Sequence, residues 1–241
     1  MTTPPAPARP MPPPLVRSLR WLVRAYGVLA VWFVGIFGTL WIGAVLVAAQ
    51  FGPLEQSMAQ FARQGSTWFP FSVSISVMTA YHAAHIAAGM TRRSLGAAML
   101  VVSAAMSVLV SVVVTALFWI ERLLYDSLGW RHSIIDQGWF PAPVDDLPAI
   151  FGWMFMFVTA AQVSGLLVAL VYLRWGSWRG TISLPLTAGP LLGLWWVAAR
   201  GVQEPWLTIG VRVGIIVTAT AVMALAYLIL LRRLQVRPPR S

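Results

Sequence analysis

The stretch LPAIFGWMFMFVTAAQVSGLLVALVYL, residues 147–173, contains no charged side chain and determines the class of fold. A helix needs about 20 predominantly apolar residues to cross the hydrocarbon core of a bilayer, at a rise of about 1.5 Å per residue. Five more stretches on either side of it also meet this length. The six predicted spans are residues 25–50, 68–90, 95–120, 147–173, 180–199 and 206–231. They predict an all-α, polytopic membrane protein with six transmembrane helices.

The composition agrees with a membrane domain and excludes several kinds of site. Of the 241 residues, 59% are hydrophobic, so one transmembrane domain over residues 15–234 accounts for nearly the whole chain. The absence of cysteine excludes disulfides, thiolate metal ligands and cysteine nucleophiles. The absence of lysine excludes a phosphate-binding GxxxxGK[ST] loop. No catalytic set of the usual hydrolase kinds stands at useful spacing, so we predict that the chain is not an enzyme.

The arginines are distributed unequally between the segments that alternate across the membrane. With a cytoplasmic N-terminus, the inside segments carry 12 of the 17 arginines, as the positive-inside rule requires. All seven acidic residues then fall outside. The sequence therefore predicts a multi-pass protein of the cell membrane with both termini in the cytoplasm. Arginines at membrane borders also account for the net charge of +10, so we expect contacts with membrane lipids and no nucleic-acid partner.

The segments outside the spans are short. Residues 1–14 contain seven prolines and predict a disordered cytoplasmic tail. Residues 235–241 predict a short basic tail on the same side. Residues 121–146 form the longest loop, on the outer side, and are rich in apolar side chains. This loop is either a connector on the outer membrane surface or a cap over a cavity.

A basic segment precedes the first span. Arg17, Arg20 and Arg24 recur at intervals of three and four residues, which places them on one face of a helix. Residues 15–24 therefore form either an interfacial amphipathic helix on the inner leaflet or a charged flank of the first span.

Three polar side chains within the spans are candidates for function. His82 and His85 are three residues apart on the second span, and together they could line a polar path, relay protons or ligate a haem or metal. Further ligands are missing from the spans, so we expect neutral histidines that are hydrogen-bonded to neighbouring helices and no metal site. Gln162, in the middle of the fourth span, could join that path or form a hydrogen bond between two helices, and the latter is favoured.

Two features of the spans predict how the helices pack. Ser103, Ser107 and Ser111 form a stripe of small residues along the third span, which lets helix backbones approach closely. Pro185 and Pro190 lie in the fifth span, where proline should kink or break the helix because it removes backbone hydrogen bonds.

The junction between the second and third spans reads Gly89-Met90-Thr91-Arg92-Arg93-Ser94-Leu95-Gly96. With the six spans, the cytoplasmic termini and the basic segment before the first span, this junction resembles the permease subunits of type-2 ABC exporters, especially the small actinobacterial ones. In that family the corresponding segments dock onto a separate cytoplasmic ATPase. The resemblance therefore assigns ATPase contacts to seven residues: Arg92, Arg93, Ser94, Leu95, Arg17, Arg20 and Arg24.

The resemblance also implies a set of partners. The permease pairs with a second permease subunit, identical or different, and the ATP that drives transport binds to the partner ATPase, so this chain itself holds no cofactor. An amphiphilic or drug-like substrate suits so apolar a protein. Two other functions stay open from the residues: a membrane redox or haem-binding protein that uses His82 and His85, and a membrane anchor or sensor without transport.

Overall fold

The computed structural model describes residues 12–134, 142–200, 204 and 206–233, and all regular structure in these residues is helical. The predicted all-α class is confirmed. The helices are α1 (Pro14–Ala49), α2 (Ala59–Ala87), α3 (Arg92–Leu128), α4 (Leu147–Ile182), α5 (Leu184–Thr187), α6 (Gly189–Arg200) and α7 (Ile209–Arg232). Most of the predicted N-terminal tail, the whole C-terminal tail and the middle of the predicted outer loop lie outside the described residues.

Four helices, α1, α3, α4 and α7, are long and apolar enough to cross a membrane. The chain is therefore a helical membrane protein, with four candidate spans where the sequence predicts six. The other two predicted spans are residues 68–90, which lie largely in α2, and residues 180–199, which are divided among α4, α5 and α6.

The helix α2 is long enough to cross a bilayer but too polar to count as a candidate span. Its 29 residues extend about 43 Å at 1.5 Å per residue. It lies antiparallel to α1, because Trp21 contacts Tyr81 at 6.2 Å between ring centroids and Phe33 contacts Phe69 at 5.4 Å. Serines, threonines and two histidines lower its hydropathy.

The predicted interfacial helix over residues 15–24 is not a separate element. It forms the first turns of α1, which continues without a break to Ala49. One buried stripe, which includes Ser18, Leu22, Tyr26 and Phe33, runs through both parts of the helix. The stripe packs on the bundle in both parts, so the helix continues past residue 25.

The centre of the bundle is α4, which packs against α2, α3 and α7. All of its residues from Ala160 to Val171 are buried, as expected for a helix that is apolar on every side. Gly165 lets α2 approach closely, since a Cβ atom at this position would lie 2.4 Å from the carbonyl oxygen of Phe71.

The predicted fifth span is broken, as its prolines indicate. The backbone of α4 turns at Gly176, whose φ of 79° favours glycine, and the chain then returns along α4 through α5 and α6. Three contacts mark the return: the Tyr172 and Thr181 hydroxyls are 3.0 Å apart, Ser164 donates to the Thr187 carbonyl at 2.6 Å, and Phe157 faces Trp195 at 5.8 Å between ring centroids. Neither α5 nor α6 is long enough to span alone.

Candidate functional site

Hydrogen bonds connect the start of α1 to the junction between α2 and α3. The Ser18 hydroxyl lies 2.9 Å from Nε2 of His85 and 3.8 Å from the sulfur of Met90. We call this end of the bundle, where α1 begins, α2 ends and α3 begins, the basic end. It brings the predicted amphipathic segment and the predicted docking junction side by side.

The last turn of α7 lies at the same end. Nη1 of Arg92 lies 3.5 Å from the carbonyl oxygen of Arg232, and Nη1 of Arg174 donates to the carbonyl oxygen of Arg233 at 3.2 Å. Nine arginines of the described residues, exposed or half-buried, therefore share the basic end: Arg17, Arg20, Arg24, Arg92, Arg93, Arg174, Arg179, Arg232 and Arg233.

Two of the residues to which the resemblance assigns ATPase contacts do not face outward. Leu95 is fully buried and Ser94 is 7% exposed. Ser94 instead completes the start of α3, because its N–H donates to the Thr91 hydroxyl and its own hydroxyl donates to the Thr91 carbonyl. Of the four junction residues with an assigned ATPase contact, Arg92 and Arg93 are therefore the two that can meet a partner.

His82 and His85 are both buried near the basic end, at 6% and 3% exposure. His85 is bonded to Ser18, as expected of a histidine that joins two helices, whereas Nε2 of His82 has no hydrogen-bond partner among the described residues. His132 lies at the opposite end of the bundle. Within the described ranges, no group of three or more histidines and acidic residues could hold a metal ion.

Gln162 is fully buried and joins α4 to α3. Its Nε2 donates to the carbonyl oxygen of Ser103 and to the Ser107 hydroxyl, both at 2.8 Å. The predicted serine stripe of α3 is the surface it meets. His85 is bonded to α1 and Gln162 to α3, so these bonds do not join the two residues in one polar path.

Glu121, which sequence reasoning placed in the outer loop, is the most enclosed acid of the described chain. It lies near the end of α3 with 0% exposure. Its carboxylate accepts from the N–H groups of Met58 at 2.6 Å and Ala59 at 3.2 Å, and from the Ser57 hydroxyl. The residue that precedes α2, Met58, provides no capping side chain, so Glu121 satisfies the free N–H groups of α2 from a different helix.

The chain around Glu121 is also closely packed. Nε2 of His132 lies 3.3 Å from the carboxylate, the Tyr125 hydroxyl donates to the Gln56 carbonyl at 3.0 Å, and Ser57 N–H donates to the Ser133 carbonyl at 2.8 Å. Residues 129–134 of the predicted outer loop therefore lie across the start of α2. We call this end of the bundle the acidic end.

The six described acidic residues all lie at or beside the acidic end, in the segments that join the helices there or in the last turns of α3. They are Glu55, Glu121, Asp126, Asp145, Asp146 and Glu204. Arg122 forms ion pairs with Asp126 at 3.8 Å and with Asp145 at 3.5 Å. The separation of charges seen in the sequence is thus a separation between two ends of one bundle.

Two arginines of the acidic end are buried against aromatic rings. Arg63, 7% exposed, lies 4.7 Å from the centroid of Trp195, and Arg212, 9% exposed, lies 5.5 Å from that of Trp153. Phe157 stands between the two tryptophans, at 6.0 Å from Trp153 and 5.8 Å from Trp195. Arg212, near the start of α7, therefore points into the bundle. It is held inside by a ring and by a long bond to the Ala198 carbonyl.

No protein-family model, curated protein or solved structure matches this chain.

Proposed function

We propose that the chain is the membrane-spanning permease subunit of an ABC exporter, which acts with a separate cytoplasmic ATPase and a second permease subunit. The observation that supports this function is the cluster of arginines at the basic end. Arg92 and Arg93 stand at a short junction between two helices, beside the start of α1 and the end of α7. No described acid lies at that end, so an acidic surface of a partner can meet Arg92 and Arg93 there.

The junction is suited to transmit movement. Arg92 and Arg93 begin α3, and only a few residues separate them from the end of α2. Both α2 and α3 pack along the central helix α4. A partner that pulled on the junction would therefore move two helices that pack on α4 together, which is what a transporter requires in order to open a path on alternate sides of the membrane.

A groove between α3, α4 and α7 fits an amphiphilic substrate. Its volume is about 400 Å³, within the range of about 300–1,000 Å³ of small-molecule sites. Its lining is mainly apolar, with hydroxyl groups from Ser103, Thr159 and Thr220. An apolar wall with a few hydroxyls binds an apolar body and orients one polar group.

The docking role is tested by the double variant Arg92→Ala plus Arg93→Ala. We expect normal insertion and folding but loss of co-purification with a protein that carries ABC ATPase motifs, identified by mass spectrometry. The matched control is Arg131→Ala plus Arg200→Ala, which removes the same charge from two exposed arginines away from the basic end. Retention of the ATPase and of ATP-driven transport by the junction variant would refute the docking role.

The proposal includes six membrane crossings, with α2 as the second and the broken run through α5 and α6 as the fifth, and a cytoplasmic basic end in the cell membrane. Reporter fusions at Arg93 and Trp178 should then give a cytoplasmic signal, and a fusion at Asp145 should give an external one. A cytoplasmic signal at Asp145 would contradict the orientation.

A further inference from the structure

A groove of about 790 Å³ lies between α1 and α2 near the basic end. Two aromatic contacts hold the helices apart. Trp21 meets the ring of Tyr81 edge-on near the end of the bundle, and Phe33 meets Phe69 further along. The helices do not close on each other between these contacts, and the space is accessible from the side of the bundle.

The lining of the groove changes from cationic to apolar along α1. Arg20 and Arg24 are four residues apart, so they lie on the same face of α1, and both are exposed. The remaining lining beyond the two aromatic rings is apolar: Ala25, Val28, Leu29 and Val77. One end of the groove therefore attracts an anion, and the rest accepts a hydrocarbon chain.

Among the described residues, no acid provides a counter-ion for this groove. The six described acidic residues lie at the acidic end, and neither Arg20 nor Arg24 forms an ion pair with any of them. Like charges four residues apart on a helix repel each other. An anion from outside the chain would remove that repulsion.

We propose that this groove binds an anionic phospholipid, with the phosphate between Arg20 and Arg24 and the start of an acyl chain along the apolar wall. The neighbouring surface of α1 favours a lipid over a soluble anion. Val28, Val31 and Trp32 are 57%, 74% and 64% exposed on a helix that can cross the membrane, so the surface beside the groove is suited to contact with acyl chains. Basic pockets between membrane helices bind lipid headgroups in this way.

The lipid site is separate from the proposed contact with an ATPase. It gives Arg20 and Arg24 a different ligand from Arg92 and Arg93, and it requires no partner protein. The test therefore uses the purified full chain alone in neutral detergent. Thermal unfolding is followed during titration with dioleoylphosphatidylglycerol, with dioleoylphosphatidylcholine, or with inorganic phosphate.

We expect phosphatidylglycerol to raise the unfolding temperature, and phosphatidylcholine and inorganic phosphate to have little effect. In Arg20→Gln plus Arg24→Gln, the phosphatidylglycerol concentration for half-maximal stabilisation should rise by roughly tenfold to thirtyfold. Ala25→Phe, which fills the apolar part of the groove and leaves the charge unchanged, should weaken the response as well. Arg93→Gln plus Arg233→Gln, with the same loss of charge at the same end, should respond like the unmodified chain.

Several results would overturn the lipid site. One is equal stabilisation by both lipids, and another is an equal loss of response in the groove variant and its control. Stabilisation by inorganic phosphate alone would mean that the arginines bind a free anion. If Arg20→Gln plus Arg24→Gln kept the response to phosphatidylglycerol here and lost the ATPase in the co-purification assay described above, those arginines would belong to the protein partner.

Discussion

The two ends of the bundle use charged side chains in opposite ways. At the acidic end, Glu121 is fully buried and accepts hydrogen bonds from the start of α2. At the basic end, Arg93 and Arg233 are exposed. A buried carboxylate that accepts hydrogen bonds from its own chain stabilises the fold, because removing it leaves buried donors without partners. Exposed arginines that face no acid are available to something outside the chain.

The comparison leads to a clear expectation about substitutions. Removing the buried carboxylate of the acidic end should reduce stability, whereas removing exposed charge from the basic end should leave stability unchanged and alter binding.

The largest effect is expected for Glu121→Ala. It removes the acceptor for the Ser57 hydroxyl and for two N–H groups of α2, and each unsatisfied buried donor costs about 1–3 kcal/mol. We expect the free energy of unfolding to fall by about 3 kcal/mol or more, measured by SDS-induced unfolding from mixed micelles. Glu55→Ala, the same change at an exposed acid nearby, should have little effect. Similar losses in the two variants would contradict the structural role of Glu121.

The next largest effect on stability is expected for Gly165→Ala, in the middle of the bundle. The new Cβ would lie 2.4 Å from the Phe71 carbonyl oxygen, so α2 and α4 must move apart at a cost of about 1–3 kcal/mol. Gly35→Ala is the control, because its Cβ has nothing within 4 Å, and it should be neutral or slightly stabilising. A neutral Gly165→Ala would mean that the two helices do not pack closely here.

A smaller effect is expected for His82→Ala plus His85→Ala at the basic end. Ser18 loses its hydrogen-bond partner on α2, at a cost of about 1 kcal/mol. The visible absorbance of the purified protein should be the same before and after the change. If the unmodified protein carried stoichiometric haem that this variant lacked, the redox function would replace the permease.

The smallest effect on stability is expected for Arg93→Gln plus Arg233→Gln. Both side chains are exposed, and surface substitutions of this kind change stability by about 0.5 kcal/mol or less. The same unfolding assay measures it. A loss of stability comparable to that of Glu121→Ala would contradict the proposed difference between the acidic and basic ends.

The sequence predicts the helical class and the separation of charges because both depend on local composition. Long uncharged stretches require helices in a bilayer, and the arginines flank them. Pro185 and Pro190 correctly indicate a broken fifth span, although they do not indicate that the chain already turns at Gly176. Residues 15–24 do not decide between an interfacial helix and a flank of the first span, because the buried face that joins them to that span is defined by helices elsewhere in the chain.

The long-range contacts could not be predicted from the sequence. Glu121 reads as an ordinary acid at the end of a span, and the N–H groups that it accepts from come 62 and 63 residues earlier. The one local indication of its role is its position: Glu121 directly follows the apolar run of α3 and lies within the same helix. Two other features likewise depend on how separate helices meet: the stacking of Arg63 on Trp195 and the burial of Ser94 and Leu95. The spacing of residues along one helix does not indicate such contacts.

The bond between Glu121 and the start of α2 also constrains the order in which the protein is built. Ala59 leaves the ribosome 62 residues before Glu121, and synthesis at about 5–20 residues per second leaves an interval of about 3–12 seconds. During that interval the rest of α2 and most of α3 are synthesised, and the N–H groups at the start of α2 do not yet have the Glu121 carboxylate as acceptor. The start of α2 therefore reaches its native hydrogen bonding only after the last turns of α3 have been synthesised.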